Sequence, residues 1–311
     1  MKAILFDKHG GPEALRYGDA PDPLAGPGEV VVDVHAASVN AADYKVRLGG
    51  SHYGGASDMP LPHILGRDFS GVVSALGAGV TDFKIGDPAF GVMDAGIEGC
   101  YAEKIKIKAD LIAHKPAKLG DAEAAAMALT SLTAIWALED TAQLKKGETV
   151  LVQGGAGGVA GFAIQLAKHI GATVITTASA RNHDYVRGLG ADQIIDYNTQ
   201  DFTKIVKDCD VVFDTVGGEV QVKSYDVLKP GGRLVWIAPA PAGFKPARSD
   251  VEVLRPRVAR DRAHLLRMIE LLDAGAVWPP AITLYKLADA ADAHRVSEAR
   301  HLQGKLVLTV P

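Results

Sequence analysis

The segment Gln153-Gly154-Gly155-Ala156-Gly157-Gly158-Val159-Ala160-Gly161 lies between an apolar run at 149–153 and a stretch with helical periodicity. Within it, Gly155-x-Gly157-x-x-Ala160 is the dinucleotide fingerprint with its permitted final alanine. The chemistry asks for glycine here. One glycine makes the tight turn, another lets the backbone approach a pyrophosphate, and a small last residue packs helix on strand. The N–H groups and dipole at the helix start then bind the anion. A flexible turn is the plainer account of a glycine run, and the strand–turn–helix context weighs against it.

The next strand, at 173–177, runs into Ala178-Ser179-Ala180-Arg181. A site for a free ribose 2′-hydroxyl would place Asp or Glu at this strand end. Here Ser179 offers a hydroxyl donor and Arg181 a planar, permanently charged fork, both suited to a phosphate. A helix-capping serine and a solvated arginine are the alternative. The missing acid selects NADPH over NADH.

Metal chemistry is not written in the chain. Its two cysteines, Cys100 and Cys209, cannot build a four-cysteine zinc site, and two free thiols fit better than a disulfide. Ten histidines occur, His35 and His63 among them, without a recognisable ligand spacing. No metal is expected.

These groups need elements to hold them. Short apolar or alternating runs at 3–6, 29–35 and 70–75, separated by Pro- and Gly-rich turns, predict a β-rich first third. Asp121-Ala122-Glu123 opens an alanine-rich helix with acids in its first turn. From residue 149 strands and helices alternate: strands at 149–153, 173–177, 193–196, 210–214 and 233–237, helices at 158–170, 183–189 and 220–228, the last stopped by Pro230-Gly231-Gly232. Such alternation marks a doubly wound parallel sheet. The helix at 158–170 is the best defined, with Val159, Phe162, Ala163, Leu166, Ala167 and Ile170 on one face and Gly171 as its stop. Residues 251–258 suggest a last strand, held to an edge by Pro256. Helices at 261–274 and 289–300 precede the apolar run Leu306-Val307-Leu308, expected to rejoin the N-terminal domain.

The 311 residues suit two domains; 48% are hydrophobic and 23% charged, as in a soluble enzyme. A net charge of −4 argues against a nucleic-acid partner, and no apolar stretch is long enough for a membrane span or signal-peptide core. The expected location is cytoplasmic.

The chain resembles the medium-chain dehydrogenase/reductase superfamily, in its zinc-free quinone oxidoreductase (zeta-crystallin-like) and enone oxidoreductase branch. The resemblance runs through Val39-Asn40-Ala41-Ala42-Asp43, Leu65-Gly66-Arg67-Asp68, Phe83-Lys84-Ile85-Gly86-Asp87, Leu129-Thr130-Ser131, the glycine loop, Leu189-Gly190-Ala191-Asp192, Lys229-Pro230-Gly231-Gly232 and Gly304-Lys305. It implies an α/β fold: a Rossmann doubly wound parallel sheet at 121–261 and a β-rich GroES-like catalytic domain from 1–120 with 262–311. Zinc-dependent relatives carry Cys near Val39-Asn40 and a His-Glu pair at Arg67-Asp68, so zinc-independent chemistry is implied.

The resemblance also implies roles. Asn40 lies beside the nicotinamide and Thr130 near its ring. Gly154, Gly155, Ala156, Gly157, Gly158 and Val159 cradle the pyrophosphate, and Ser179, Arg181 and Tyr197 flank the adenosine phosphate. Val216 and Ala238 line the cofactor cleft, and Lys305 approaches from the C-terminal segment. Lys45, in Asn40-x-x-Asp43-x-Lys45, looks like plant enone oxidoreductases rather than quinone reductases with Tyr. Lys45 or the Asn40 amide is expected to stabilise an enolate after hydride transfer, with Lys45, Tyr44, Tyr53 or solvent as proton source. A solvated Lys45 paired with Asp43, and Asn40 as a turn cap, are the competing readings. The reaction expected is NADPH-dependent reduction of a conjugated carbonyl or quinone, by a homodimer. A quinone-specific reductase and a non-catalytic NADPH-binding protein are the alternatives. Substrate-pocket residues are expected in loops at 51–59, 93–97 and 239–244.

Overall fold

Alternating burial along Lys104–Lys108, with Ile105 and Ile107 inward and lysines outward, shows how the first third forms sheet: one face meets a core, the other water. The computed structural model describes residues 1–50, 60–94, 96–97, 99–246 and 248–311. Tyr53 and the loop at 51–59 lie outside the described residues, as does Ala95 in the loop at 93–97. The chain divides into two units, Met1–Leu129 with Arg260–Glu270 and Pro279–Pro311, and Thr130–Ala259 with Leu271–Trp278.

The first unit begins with β1 (Lys2–Phe6), β2 (Leu15–Asp19), β3 (Glu29–Val39), helix α1 (Ala41–Arg47) and β4 (His63–Ile64). It continues through β5 (Asp68–Leu76), β6 (Pro88–Val92), β7 (Lys104–Lys108) and β8 (Ile112–His114) to α2 (Asp121–Ile135). β2, β1 and β4 make a small antiparallel sheet. β3 is the spine of the large sheet, pairing antiparallel with β5 and β7. Its valines Val32 and Val34 pack with Phe69, Val73, Ile105 and Ile107, each burial contributing about 1.5–3 kcal/mol. The helix α1 was not foreseen; it fills the turn after β3 and anchors by Val46 in the same core.

The second unit holds a six-stranded, all-parallel sheet. In chain order its elements are β9 (Thr149–Val152), α3 (Gly158–Ile170), β10 (Thr173–Thr177), α4 (His183–Gly188), β11 (Gln193–Ile195), α5 (Phe202–Ile205), β12 (Cys209–Asp214), α6 (Glu219–Ser224), β13 (Leu228–Trp236) and β14 (Glu252–Leu254). The spatial order β11-β10-β9-β12-β13-β14 is the Rossmann order 3-2-1-4-5-6, with its switch point between β9 and β12. α3 buries Phe162, Ala163, Leu166 and Ala167, and Gly171 closes it in the left-handed region at φ 93°.

Three expectations need correcting. The helix placed at 220–228 ends at Ser224 and passes through a 3-10 turn, Tyr225–Val227. Lys229-Pro230-Gly231-Gly232 does not separate helix from strand: β13 already starts at Leu228, paired with Cys209, and the Pro-Gly-Gly run forms an irregularity inside the pairing. The last strand is shorter than 251–258, only Glu252–Leu254, and lies at the sheet edge.

The tail contributes α7 (Arg262–Asp273), β15 (Ile282–Lys286), α8 (Ala290–Glu298) and β16 (Lys305–Thr309). β16 pairs antiparallel with β3, Leu308 opposite Ala37, so the apolar run does return to the N-terminal sheet. Both cysteines are free and buried; burial, then Asp210 and Asp208, push the Cys209 thiol up to about 12. No helix among the described residues is long and apolar enough to cross a membrane.

Candidate active site

The glycine loop sits at the C-terminal end of β9, beside the switch point. Gly154 takes a positive φ of 74° and donates its N–H to Thr177 Oγ1 at 3.0 Å, while Gly155 N donates to Thr177 O at 2.9 Å. Thr177 Oγ1 in turn donates to Gln153 Oε1 at 2.8 Å, so the ends of β9 and β10 are tied together. A Cβ on Gly155 would stand 2.2 Å from Thr176 Oγ1, which is itself held by Val152 O at 2.7 Å. The backbone therefore lies against the neighbouring strand, as the fingerprint requires.

The two leading glycine amides are thus spent inside the protein. The first-turn N–H groups of α3, at Gly158, Val159 and Ala160, precede the first intrahelical bond, Gly161 N to Gly157 O. No side chain caps them at Gly157. A 13-residue helix with an open, uncapped start at the switch point fits a pyrophosphate.

Beside this loop the structure places two of the expected residues, Val216 and Ala238. A Cβ on Gly154 would touch Val216 Cγ2 at 3.0 Å, and one on Gly217 would touch Ala238 Cβ at 2.9 Å. The Val216 loop is set by Asp214, whose carboxylate accepts the N–H groups of Val216 at 2.9 Å and Gly217 at 3.0 Å. Burial pushes the Asp214 carboxyl above its ordinary value, against those two bonds. Ser179 caps the turn Ala180–Asn182 that follows β10, and its Oγ accepts from Asn182 Nδ2 at 3.3 Å. Arg181 in that turn and Tyr197 beyond β11 are exposed, and Ala178 N bonds to Ile195 O, joining the two strand ends. Thr130 is buried in α2.

The first unit brings Asn40 and Lys305 together. Asn40 is the N-cap of α1, and its backbone N–H donates to Asp43 Oδ2 at 2.8 Å. Lys305 Nζ donates to Asn40 Oδ1 at 2.7 Å and to Val39 O at 2.9 Å. Asn40 Nδ2 donates to Asp68 Oδ1 at 2.8 Å and to Ser38 O at 3.3 Å. A lysine only donates and a carboxylate only accepts, which fixes the amide orientation.

Asp68 and Lys305, both buried, oppose each other in charge across this amide, which bonds to each. Burial pushes the Asp68 carboxyl up, opposed by Lys305, Ser38, Asn40 and the Leu129 N–H; burial pushes the Lys305 ammonium down, opposed by Asp68 and Asp43. Arg67 Nε lies 3.3 Å from Asp43 Oδ1, so two cations face two anions. Lys45 lies in α1, half-buried, and Tyr44 is buried beside it.

In the sequence Asp68 and Arg67 stand out only as replacements for zinc ligands. Asp68 instead accepts from Ser38 Oγ, 2.8 Å from both its oxygens. Ser38, Asp68, Thr177 and Asp214 were missed, because ordinary Ser, Thr and Asp residues carry no spacing signal. His35 lies 3.1 Å from Asp121. Among the described residues no cluster of three or more His, Cys, Asp or Glu could hold a metal ion.

Known proteins share this build. Residues 26–117 match the alcohol dehydrogenase GroES-like domain, and residues 189–308 match the zinc-binding dehydrogenase family. The chain is 32% identical over 356 positions to the mitochondrial NAD(P)H oxidoreductase RTN4IP1 of Danio rerio, covering 100% of this chain and 91% of that protein. The chain belongs to the medium-chain dehydrogenase/reductase superfamily. Its relatives there include quinone oxidoreductases and alkenal/enone reductases. The chloroplastic NADPH-dependent alkenal/one oxidoreductase of Arabidopsis thaliana is 34% identical over 322 positions, covering 99% of this chain and 79% of that protein. The quinone oxidoreductase structure from Coxiella burnetii superposes with a TM-score of 0.93 at 37% identity, covering 100% and 99% of the two chains. In a Mycobacterium tuberculosis mycocerosic acid synthase-like polyketide synthase, 34% identical, this superfamily chain spans only 14% of the length.

Proposed function

We propose that this chain is an NADPH-dependent, zinc-independent oxidoreductase that delivers hydride to a conjugated carbonyl, an enone or alkenal. The observation that carries the reading is the open α3 start beside Gly154 and Gly155, with Ser179 and Arg181 instead of an acid after β10. The 34% identity to an alkenal/one oxidoreductase supports the substrate class. The similarity to a quinone oxidoreductase supports a second reading, a quinone-specific reductase.

The proposed roles fall into two groups. Gly154, Gly155, Ala156, Gly157, Gly158, Val159, Val216, Ala238 and Thr130 hold the dinucleotide, and Ser179, Arg181 and Tyr197 take its 2′-phosphate end. The bound dihydronicotinamide supplies the hydride. Asn40 and Lys45 serve the acceptor, where negative charge grows on the carbonyl oxygen. Lys305 polarises the Asn40 amide through Oδ1, strengthening its N–H as a donor. The Nδ2 bond to Ser38 O, at 3.3 Å, is the weaker of its two and the one a substrate oxygen displaces. Zinc does not suit this donor set: Arg67 stands beside Asp68, whose oxygens accept from Ser38 and Asn40. The exposed edge strand Glu252–Leu254 supports a homodimer through sheet pairing, and the composition supports a cytoplasmic location.

The test is NADPH oxidation against a simple enone, an alkenal, a naphthoquinone and a ketone, with NADH in parallel. Enone or alkenal turnover with NADPH preferred supports the reading. Quinone-only turnover moves the chemistry to the second one, and no turnover with any acceptor overturns both.

A further inference from the structure

Behind Asn40 runs a chain of buried polar groups that the proposed reaction does not use. Arg47, fully buried at the end of α1, donates Nε to Gly10 O at 3.0 Å, pairs with Glu298, and places Nη1 3.3 Å from His294 Nδ1. His294, fully buried in α8, has its Nε2 3.4 Å from Tyr101 Oη. Tyr101 Oη donates to Asp43 Oδ2 at 2.7 Å, and Asp43 Oδ2 also accepts the Asn40 backbone N–H.

The direction of each bond follows from donor chemistry. A guanidinium only donates, so His294 Nδ1 accepts. Burial and the neighbouring Arg47 push the imidazole down to about 3, so the ring is neutral and its hydrogen sits on Nε2. That N–H faces Tyr101 Oη, whose own hydrogen goes to the carboxylate. The bonds from Arg47 through His294 and Tyr101 run toward Asp43. Gly66 makes room for this arrangement: at φ 100°, a Cβ there would stand 2.4 Å from Tyr101 Cδ1.

We propose that Asp43 is the positioning residue for Asn40, and that Tyr101, His294 and Arg47 hold its carboxylate in place. The N-cap conformation of Asn40 is thereby fixed by α8, some 250 residues away. This rests on Asn40 serving the acceptor carbonyl. Loosening Asp43 shifts the amide without touching the glycine loop or the residues proposed for the 2′-phosphate.

The test uses the full-length chain with Tyr101→Phe, His294→Leu and His294→Gln; glutamine keeps one acceptor and one donor. Three readouts are taken: kcat with an enone, NADPH Kd, and hydrogen exchange at the segment containing Asn40. Tyr101→Phe and His294→Leu should each lower kcat about 10- to 100-fold, since small misplacements carry such costs. NADPH Kd should stay within about twofold and exchange at Asn40 should quicken, whereas His294→Gln should keep kcat within about threefold. Wild-type kcat and unchanged exchange in Tyr101→Phe would overturn the proposal. So would His294→Gln falling as far as His294→Leu, or NADPH affinity falling in step with kcat. A wild-type protein that reduces no acceptor sinks the reading of Asn40 as an acceptor residue; exchange at Asn40 then decides the positioning by itself.

Discussion

The glycine loop of the second unit and the polar cluster of the first are built from opposite materials. The loop works with main chain: Gly154 and Gly155 lock onto Thr177, and helix α3 presents its N–H groups. The cluster works with side chains drawn from β3, α1, β5 and β16, with Asn40, Asp68 and Lys305 buried or half-buried. A main-chain site is vulnerable to added volume. A buried charge cluster is vulnerable to lost charge.

The largest effect should come from Lys305→Met, which keeps the length and removes the cation facing Asp68. Removing one of two opposed buried charges leaves the other uncompensated, so unfolding free energy should fall by about 3–5 kcal/mol in denaturant titration. Adding Asp68→Asn should recover part of it. A loss below about 1 kcal/mol would place the pair in far better solvent contact than its burial implies.

Gly155→Ala attacks the other region. The new Cβ meets Thr176 Oγ1, so stability should fall by about 1–3 kcal/mol and NADPH Kd should rise with it. Unchanged calorimetric binding would show that the loop has room to move.

Arg181→Ala should weaken NADPH about 10-fold while NADH affinity stays level, because only the former carries the 2′-phosphate. Equal losses for both cofactors would remove Arg181 from the phosphate site.

The smallest effect concerns pH. Burial raises the Asp192 carboxyl, but Lys168 and the Val174 N–H outweigh it and hold the group below its ordinary 3.8. A depressed folded-state value means stability present above pH 3.8 and lost as pH falls through that lower value. Asp192→Asn should flatten this acid limb by less than about 1 kcal/mol. An unchanged acid limb would show that other carboxylates set it.

The difference in building material also explains what the sequence disclosed. Glycine at a close approach and a 3.6-residue apolar period are local signals, so the loop, α3 and the parallel sheet were readable. The sequence points to a return of Leu306-Val307-Leu308 to the N-terminal domain, but not to its pairing with β3. Asp68 was visible only as a missing zinc ligand, because its partners Ser38 and Asn40 lie about 30 residues away and Lys305 more than 200. Helix α1 escaped notice because seven residues are too few for periodicity to declare itself. The Lys229-Pro230-Gly231-Gly232 run misled because it reads as a stop, while pairing of Leu228 with Cys209 extends the strand across it.

The most direct test of the account follows the hydride itself. NADPH dideuterated at C4 is turned over with a simple enone, and the product is examined by mass spectrometry and NMR. The account predicts a saturated ketone with one deuterium on the carbon β to the carbonyl. Deuterium on the carbonyl carbon of an allylic alcohol, or a product without label, would contradict it.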